Sequence, residues 1–355
     1  MRLRSKSLFI LFSLAVGIVP LFAANLKHLD LTLSYRNSYD SNLMRYSQRD
    51  IDRFLDRTEP HTSQIKTLDD IRTDIKLSGG YSLFLKPKIE TRFITTVNFA
   101  HHLQNPVKNF GWLSLTGRQD ITRRITASVN YFFEPEYYLR YYRDVHTGQR
   151  QKCTFALSQW KGDISYRPIK MFEFGMYGKT KKYAYNEFFT EYDSDLIEAG
   201  GEVIFRTGPW RIAGGYALAM NDNIGFNPFD ITGSDSSQED SDEGNGDYEE
   251  DNYSLSVRYS FKFMQKNARL LFESTLADRY YTTDRSYTMD PIHSGRRDLV
   301  VGYALSGRLY FSRLLNIELG AEYGQRSTRA SSELASAVKD YDRWAGWAEL
   351  SFKIK

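Results

Sequence analysis

The chain has one cysteine, nine prolines and almost no surplus of either charge, with 47 Lys and Arg against 44 Asp and Glu in 355 residues. Each scarcity closes a class. Cys153 alone cannot form an internal disulfide, so no cysteine framework holds the fold. Near-balanced charge lacks the basic excess of a nucleic-acid binder. Beyond the first 24 residues no apolar run approaches the roughly 20 residues of a spanning helix. A hydrophobic content of 41% and a mean hydropathy of -0.51 likewise exclude a polytopic helical bundle. They leave a membrane barrel open, because there only alternate residues face lipid. No P-loop, dinucleotide fingerprint or zinc-ligand pair occurs, so no cofactor and no metal is expected. Aromatics, by contrast, are plentiful: 25 Tyr, 23 Phe and 5 Trp.

Residues 1–24 read as a secretory signal peptide: Arg2, Arg4 and Lys6, then an apolar run from Leu8 to Phe22, then the small pair Ala23-Ala24. The mature chain, residues 25–355, keeps 44 basic and 44 acidic residues and forms one domain. Eleven of the acids lie between Ile212 and Val257 with no Lys or Arg among them, so the rest of the chain is basic by the same 11 charges. In an exported protein Cys153 is expected to be a small buried or lipid-facing residue.

Apolar residues recur at every second position over stretches of strand length, with almost no helical spacing. Near the end Trp344, Gly346, Ala348, Leu350 and Phe352 alternate with Ala345, Trp347, Glu349, Ser351 and Lys353. Earlier examples are Leu29, Leu31, Leu33 and Tyr35, or Ile125, Ala127, Val129, Tyr131 and Phe133. Fourteen such segments are found, or twelve or sixteen if a hairpin is misassigned. The phase slips within the segment holding Leu157, Ile164 and Tyr166, which predicts a β-bulge near Gln159, with a similar shift near Trp112. Connections after even segments are tight and those after odd segments are long and polar, reaching about thirty residues at Asp40 to Lys66 and Met220 to Glu250. A soluble sandwich has no reason to sort loops by end, whereas a membrane barrel does. Aromatics gather near the ends of segments, as in Tyr81, Tyr166, Phe205, Tyr259, Phe261, Phe311 and Phe352 on one side, and Tyr35, Tyr131, Phe133, Tyr253 and Tyr303 on the other. Girdles at two water boundaries account for this.

On its leader, alternation, loop sorting and terminal segment the chain resembles Gram-negative outer-membrane β-barrels of the porin-like class, over essentially its whole mature length. The resemblance implies an all-β, single antiparallel up-and-down transmembrane β-barrel with short periplasmic turns and long extracellular loops in the outer membrane. It also implies outer-membrane lipids as partners and the barrel-assembly machinery during biogenesis. The last segment is similar to the aromatic-rich assembly signal but runs on past Phe352 through Lys353-Ile354-Lys355. Tyr39-Asp40-Ser41-Asn42 is similar to a segment that follows the first strand of other barrels, and Tyr192-Asp193-Ser194-Asp195 echoes it. Ordinary turn chemistry of Asp and Asn explains both more simply.

Fourteen strands enclose more room than side chains fill. Charges of both signs fall on the inward phase: Lys76, Glu90, Arg92, Glu202, Arg258, Arg269, Glu273, Arg308, Glu318, Glu322 and Glu349. Small residues such as Gly200, Ala213, Gly215, Ala217, Gly302 and Gly320 share that phase and leave space. The expectation is a water-filled channel for small hydrophilic solutes. The alternative is a closed structural or surface barrel whose long loops bind a partner. Tyr137, Tyr138, Arg140, Tyr141, Tyr142 and Arg143 are constriction candidates, since Tyr and Arg folded inwards can stack on sugars or bind carboxylates. The competing reading is that they extend a hairpin above the membrane. The acidic stretch 235–251 lacks the ligand spacing of a helix-loop-helix calcium site and reads as a solvated loop. His61-Thr62-Ser63 is the one catalytic-looking pairing and sits in a loop. No enzymatic activity is expected.

Overall fold

The computed structural model describes residues 28–58, 64–86, 89–144, 147–225, 245–286, 288, 290, 292–331 and 333–354. The leader, His61-Thr62-Ser63 and residues 235–244 of the acidic stretch lie outside them. Fourteen strands close into one antiparallel up-and-down barrel. They are β1 (Leu29–Asp40), β2 (Asp70–Lys86), β3 (Ile89–His102), β4 (Phe110–Asp120), β5 (Ile125–Arg143), β6 (Arg150–Tyr166) and β7 (Phe172–Tyr185), then β8 (Ser194–Thr207), β9 (Trp210–Asp222), β10 (Tyr248–Phe263), β11 (Lys266–Tyr281), β12 (Arg297–Tyr310), β13 (Leu315–Arg329) and β14 (Tyr341–Lys353). Connections of two to five residues gather at one end. At the other end the loops are longer, and among the described residues two carry α-helices: α1 (Gln48–Leu55) in loop L1 (41–69) and α2 (Glu333–Lys339) between β13 and β14.

The barrel closes where β1 meets β14, from Thr32 opposite Lys353 to Asp40 opposite Ala345. The residues after Phe352 take part: the Lys353 amide donates to the Leu314 carbonyl at 2.7 Å and the Ile354 amide to the Leu31 carbonyl at 2.8 Å. Because side chains alternate across a strand, this register puts Leu33, Leu305, Leu319 and Met176 on the outside, where they are exposed. Near the short-loop end the outer face carries aromatic clusters on four neighbouring strands. Phe172 packs on Phe205 at 5.2 Å, Trp210 on Tyr259 at 4.5 Å and Tyr259 on Phe261 at 5.6 Å between ring centroids. An apolar exterior with edge aromatics is what a bilayer stabilises.

Two expectations about phase are corrected. β6 runs without a bulge at Gln159: Leu157 lies opposite Glu134 and faces inwards, while Trp160, opposite Tyr131, faces out. β4 has no shift at Trp112, which faces inwards beside Phe132 at 5.6 Å. Both slips arose from assuming that every apolar residue faces lipid. The irregularities fall instead on β5, between Glu134 and Tyr137 and between Tyr138 and Arg140, and on β2 between Phe84 and Lys86. Pro135 sits in the first of them. Lacking an amide hydrogen it cannot donate to the ladder, and a bulge is where a strand tolerates it.

The β10–β11 hairpin turns on Met264 (φ 46°) and Gln265 (φ 62°), a left-handed pair that Asn-Gly would fill with less strain. Replacing the two by Asn and Gly should stabilise the barrel by about 1 kcal/mol or more, read as a higher temperature for loss of the compact band on cold SDS gels. An unchanged temperature would show that the turn stores no strain.

Candidate functional site: the barrel interior

Loop L1 folds over the long-loop mouth because its sequence gives it a small core of its own. Ser47 caps α1 by accepting the Asp50 amide at 3.2 Å. Met44, Tyr46 and Ile65 are buried against Tyr138 of β5, with Ile51, Phe54, Leu68 and Val107 packed around them. Arg140 pairs with Asp50 at 3.5 Å and stacks over Tyr46 at 4.9 Å. At its other side L1 places Arg45 over Tyr341 of β14 at 5.8 Å.

The two loop-turn motifs root these loops. Asn42 accepts the Tyr46 amide at 2.8 Å through its side-chain oxygen and donates through its amide nitrogen to the carbonyls of Tyr46 and Asp342. Asp40 takes both a backbone bond from Asn42 and the guanidinium of Arg343 at 2.9 Å. Asp193 accepts the Tyr185 amide at 2.6 Å. Turn chemistry is therefore what both segments perform.

The six constriction candidates stay in the wall, on the extension of β5 that pairs with β6 up to Arg143 opposite Arg150. Tyr137 carries the Lys108 ammonium over its ring at 4.2 Å and accepts it at 3.1 Å. Tyr138 and Arg140 hold L1. Tyr142 is buried with Cys153 and Phe189, so Cys153 is the small buried residue expected. Tyr141 lies opposite Lys152, and Arg143 donates to the Gly148 carbonyl at 2.9 Å. The segment that folds inwards is L1.

Below L1 the register sets all eleven inward charges on the inner face. Several are neutralised by neighbours in the wall. Arg92 meets Asp30 at 3.1 Å, Lys76 meets Glu349 at 3.9 Å, Arg308 meets Glu318 at 2.6 Å, and Glu322 meets Arg343 at 2.7 Å. Glu90 accepts a short bond from Ser82. Glu202, Glu273 and Arg258 line open space instead. Cations outside the expected set that line the two main cavities include Lys161, Lys179 and Lys181, with Arg211 and the loop residue Arg45. Those on β7 continue the alternation of Phe172, Phe174 and Met176 and were available from it.

Two large cavities occupy the interior. One of about 700 Å³ is lined by Lys161, Lys179, Lys181, Glu198, Glu250 and Asn252. A second, of about 610 Å³, runs from Arg45, Tyr341 and Arg343 at the L1 end to Arg211 and Arg258 at the short-loop end. They abut, since Glu202, Ser254 and Thr275 line both. A third, about 220 Å³, opens at the long-loop mouth among Tyr183, Tyr185, Tyr192, Tyr248 and Tyr281. Small residues keep large ones against the wall: Trp347 lies on Gly320, where an added Cβ would meet the indole at 2.2 Å, and Arg36 covers the ring at 4.5 Å. Among the described residues no group of three or more His, Cys, Asp or Glu is arranged to hold a metal.

A closed fourteen-stranded barrel with an apolar exterior and a polar, cavity-bearing interior is thus the class defined by fold and site. No family model and no curated protein matches the chain. Among solved structures it is similar to a bacterial polysaccharide outer membrane secretin, at 8% identity and a TM-score of 0.44 over 91% of this chain and 98% of that one. It is also similar to OccAB3 of Acinetobacter baumannii (11%, TM-score 0.43, 92% and 100% covered) and to the outer membrane protein OprD of Pseudomonas aeruginosa (9%, 0.42, 92% and 94%).

The Asp50–Arg140 pair is largely buried, so Asp50→Asn should loosen L1 by about 1–2 kcal/mol. Limited proteolysis within 41–58 would accelerate while the compact band of the barrel persists. Unchanged nicking would show that the pair does not hold the loop.

Proposed function

We propose that the protein is an outer-membrane channel through which small hydrophilic solutes diffuse into a Gram-negative cell. On this reading the short connections face the periplasm and the long loops face outwards, as the leader and the sorting of loops lead one to expect. The exterior is solvated by outer-membrane lipids after insertion by the barrel-assembly machinery. The observation that carries the proposal is the pair of abutting cavities, which together extend from the Arg45 side of L1 to the arginines at the opposite end. Polar inner residues keep such a bore wet, and selectivity then rests on width and lining charge. Arg45 on the infolded loop, which Tyr138 and Arg140 of the β5 extension hold in place, forms the narrow entrance. Transport by diffusion needs no chemical step, and the reading includes no enzymatic activity.

Insertion of the purified protein into planar bilayers should give discrete conductance steps, reduced by sugars small enough to enter. Arg45→Ala should raise the single-channel conductance by roughly a fifth or more, because it removes a long side chain from the L1 end of the bore. Gly320→Ala should lower it, since the new methyl group displaces Trp347 from the wall towards the bore. Insertion without any steps would overturn the channel reading and move the function to the loops.

A further inference from the structure

Five arginines face inwards on five successive strands near the short-loop end: Arg206, Arg211, Arg258, Arg269 and Arg308 on β8 to β12. Three of the contacts between them are direct cross-strand partners, Arg206 with Arg211, Arg211 with Arg258, and Arg269 with Arg308. Like charges placed opposite each other destabilise a sheet. The two ends of the arc are neutralised, Arg206 by Glu173 at 3.1 Å and Arg308 by Glu318. The middle is not. Arg211, Arg258 and Arg269 have no ion-pair partner among the described residues, and the Nε of Arg258 is buried without a hydrogen-bond acceptor. Arg36 on the facing wall has acids, Asp74 and Glu349, as its cross-strand partners, where Arg211 and Arg258 have each other, although its Nε too is buried without an acceptor. Arg211 and Arg258 border the 610 Å³ cavity, which Glu202 and Glu273 also line, so the two guanidinium groups adjoin space a solute can occupy.

We propose that Arg211, Arg258 and Arg269 form a binding subsite for small oxyanions, carboxylates or phosphates, at the inner end of the bore. Guanidinium forks match the paired oxygens of such groups, and a bound dianion relieves the repulsion along the arc. The inference deepens the channel reading, on which its part in permeation rests, by naming the solute class as organic acids or phosphate esters.

Two measurements separate the site from the channel. Thermal unfolding of the detergent-solubilised barrel reads binding without any need for conduction. Millimolar phosphate or succinate, against chloride at equal ionic strength, should raise the midpoint by a few degrees. The triple variant Arg211→Gln, Arg258→Gln, Arg269→Gln should lose that rise while being at least as stable as the parent in chloride. The single Arg258→Gln serves if the triple fails to fold, and Arg258→Lys should retain only part of the gain. In bilayers a salt gradient should give an anion-to-cation permeability ratio above about 3, falling by about half or more in the triple variant. A rise that is absent, or equal in the triple variant, overturns the subsite. Conductance without anion preference overturns its role in selection and leaves the channel standing. A thermal gain in a barrel that never conducts supports the subsite and overturns the channel. Response to phosphate alone or to succinate alone assigns the site to that oxyanion.

Discussion

Amides and carbonyls within hydrocarbon have no water to bond, so a sheet that crosses a bilayer must close on itself. Everything else in this molecule depends on that closure. The ladder between β1 and β14 completes it over nine paired positions and is continued at its end by the amides of Lys353 and Ile354. Once the register is fixed there, the pleat decides the fate of every side chain. A slip of one residue would carry Glu349 and Ser351 into the lipid and Leu350 and Phe352 into the bore.

The inside of a closed sheet has a separate problem, because charged groups held near low-dielectric walls need partners. Around β13, β14 and β1 to β3 the partners are in the wall itself, as in the Arg308–Glu318, Lys76–Glu349 and Arg92–Asp30 pairs. Towards the short-loop ends of β9 to β11 they run out. The inner surface there combines small residues that leave room, such as Gly200, Ala213 and Gly215, with three arginines that have no ion-pair partner among the described residues. Space and unsatisfied donors on the same side of the bore are what a polar solute requires. The described part of L1 packs at the mouth through a hydrophobic cluster of its own, and its Arg45 borders the second cavity.

Much of this was readable in the residues. Period-two alternation gave the strand number and the phase of all eleven inner charges, and loop lengths separated the two ends of the barrel. The failures were local and had one cause. Leu157 and Trp112 are apolar and fit an outward phase, but they lie half-buried on the inner face, Trp112 beside Phe132 and Leu157 opposite Glu134 and Tyr183. Pro135 marked the true bulge and carried the physical reason for it. What could not be read was L1. The inward fold of Arg45, and the Asp50–Arg140 and Tyr46–Tyr138 contacts that impose it, join positions some ninety residues apart, and no local pattern connects them.

Adjacent positions on one strand test the central claim most directly. In a Cys153→Ser background, single cysteines replace Ser256, which borders the second cavity, and Val257, its neighbour on the outer face. The protein in sealed liposomes is then treated with a membrane-impermeant thiol reagent. A wet bore inside a lipid-facing sheet requires that the cysteine at 256 is modified and the one at 257 is spared. Modification of 257 in preference to 256, or of neither, would contradict it.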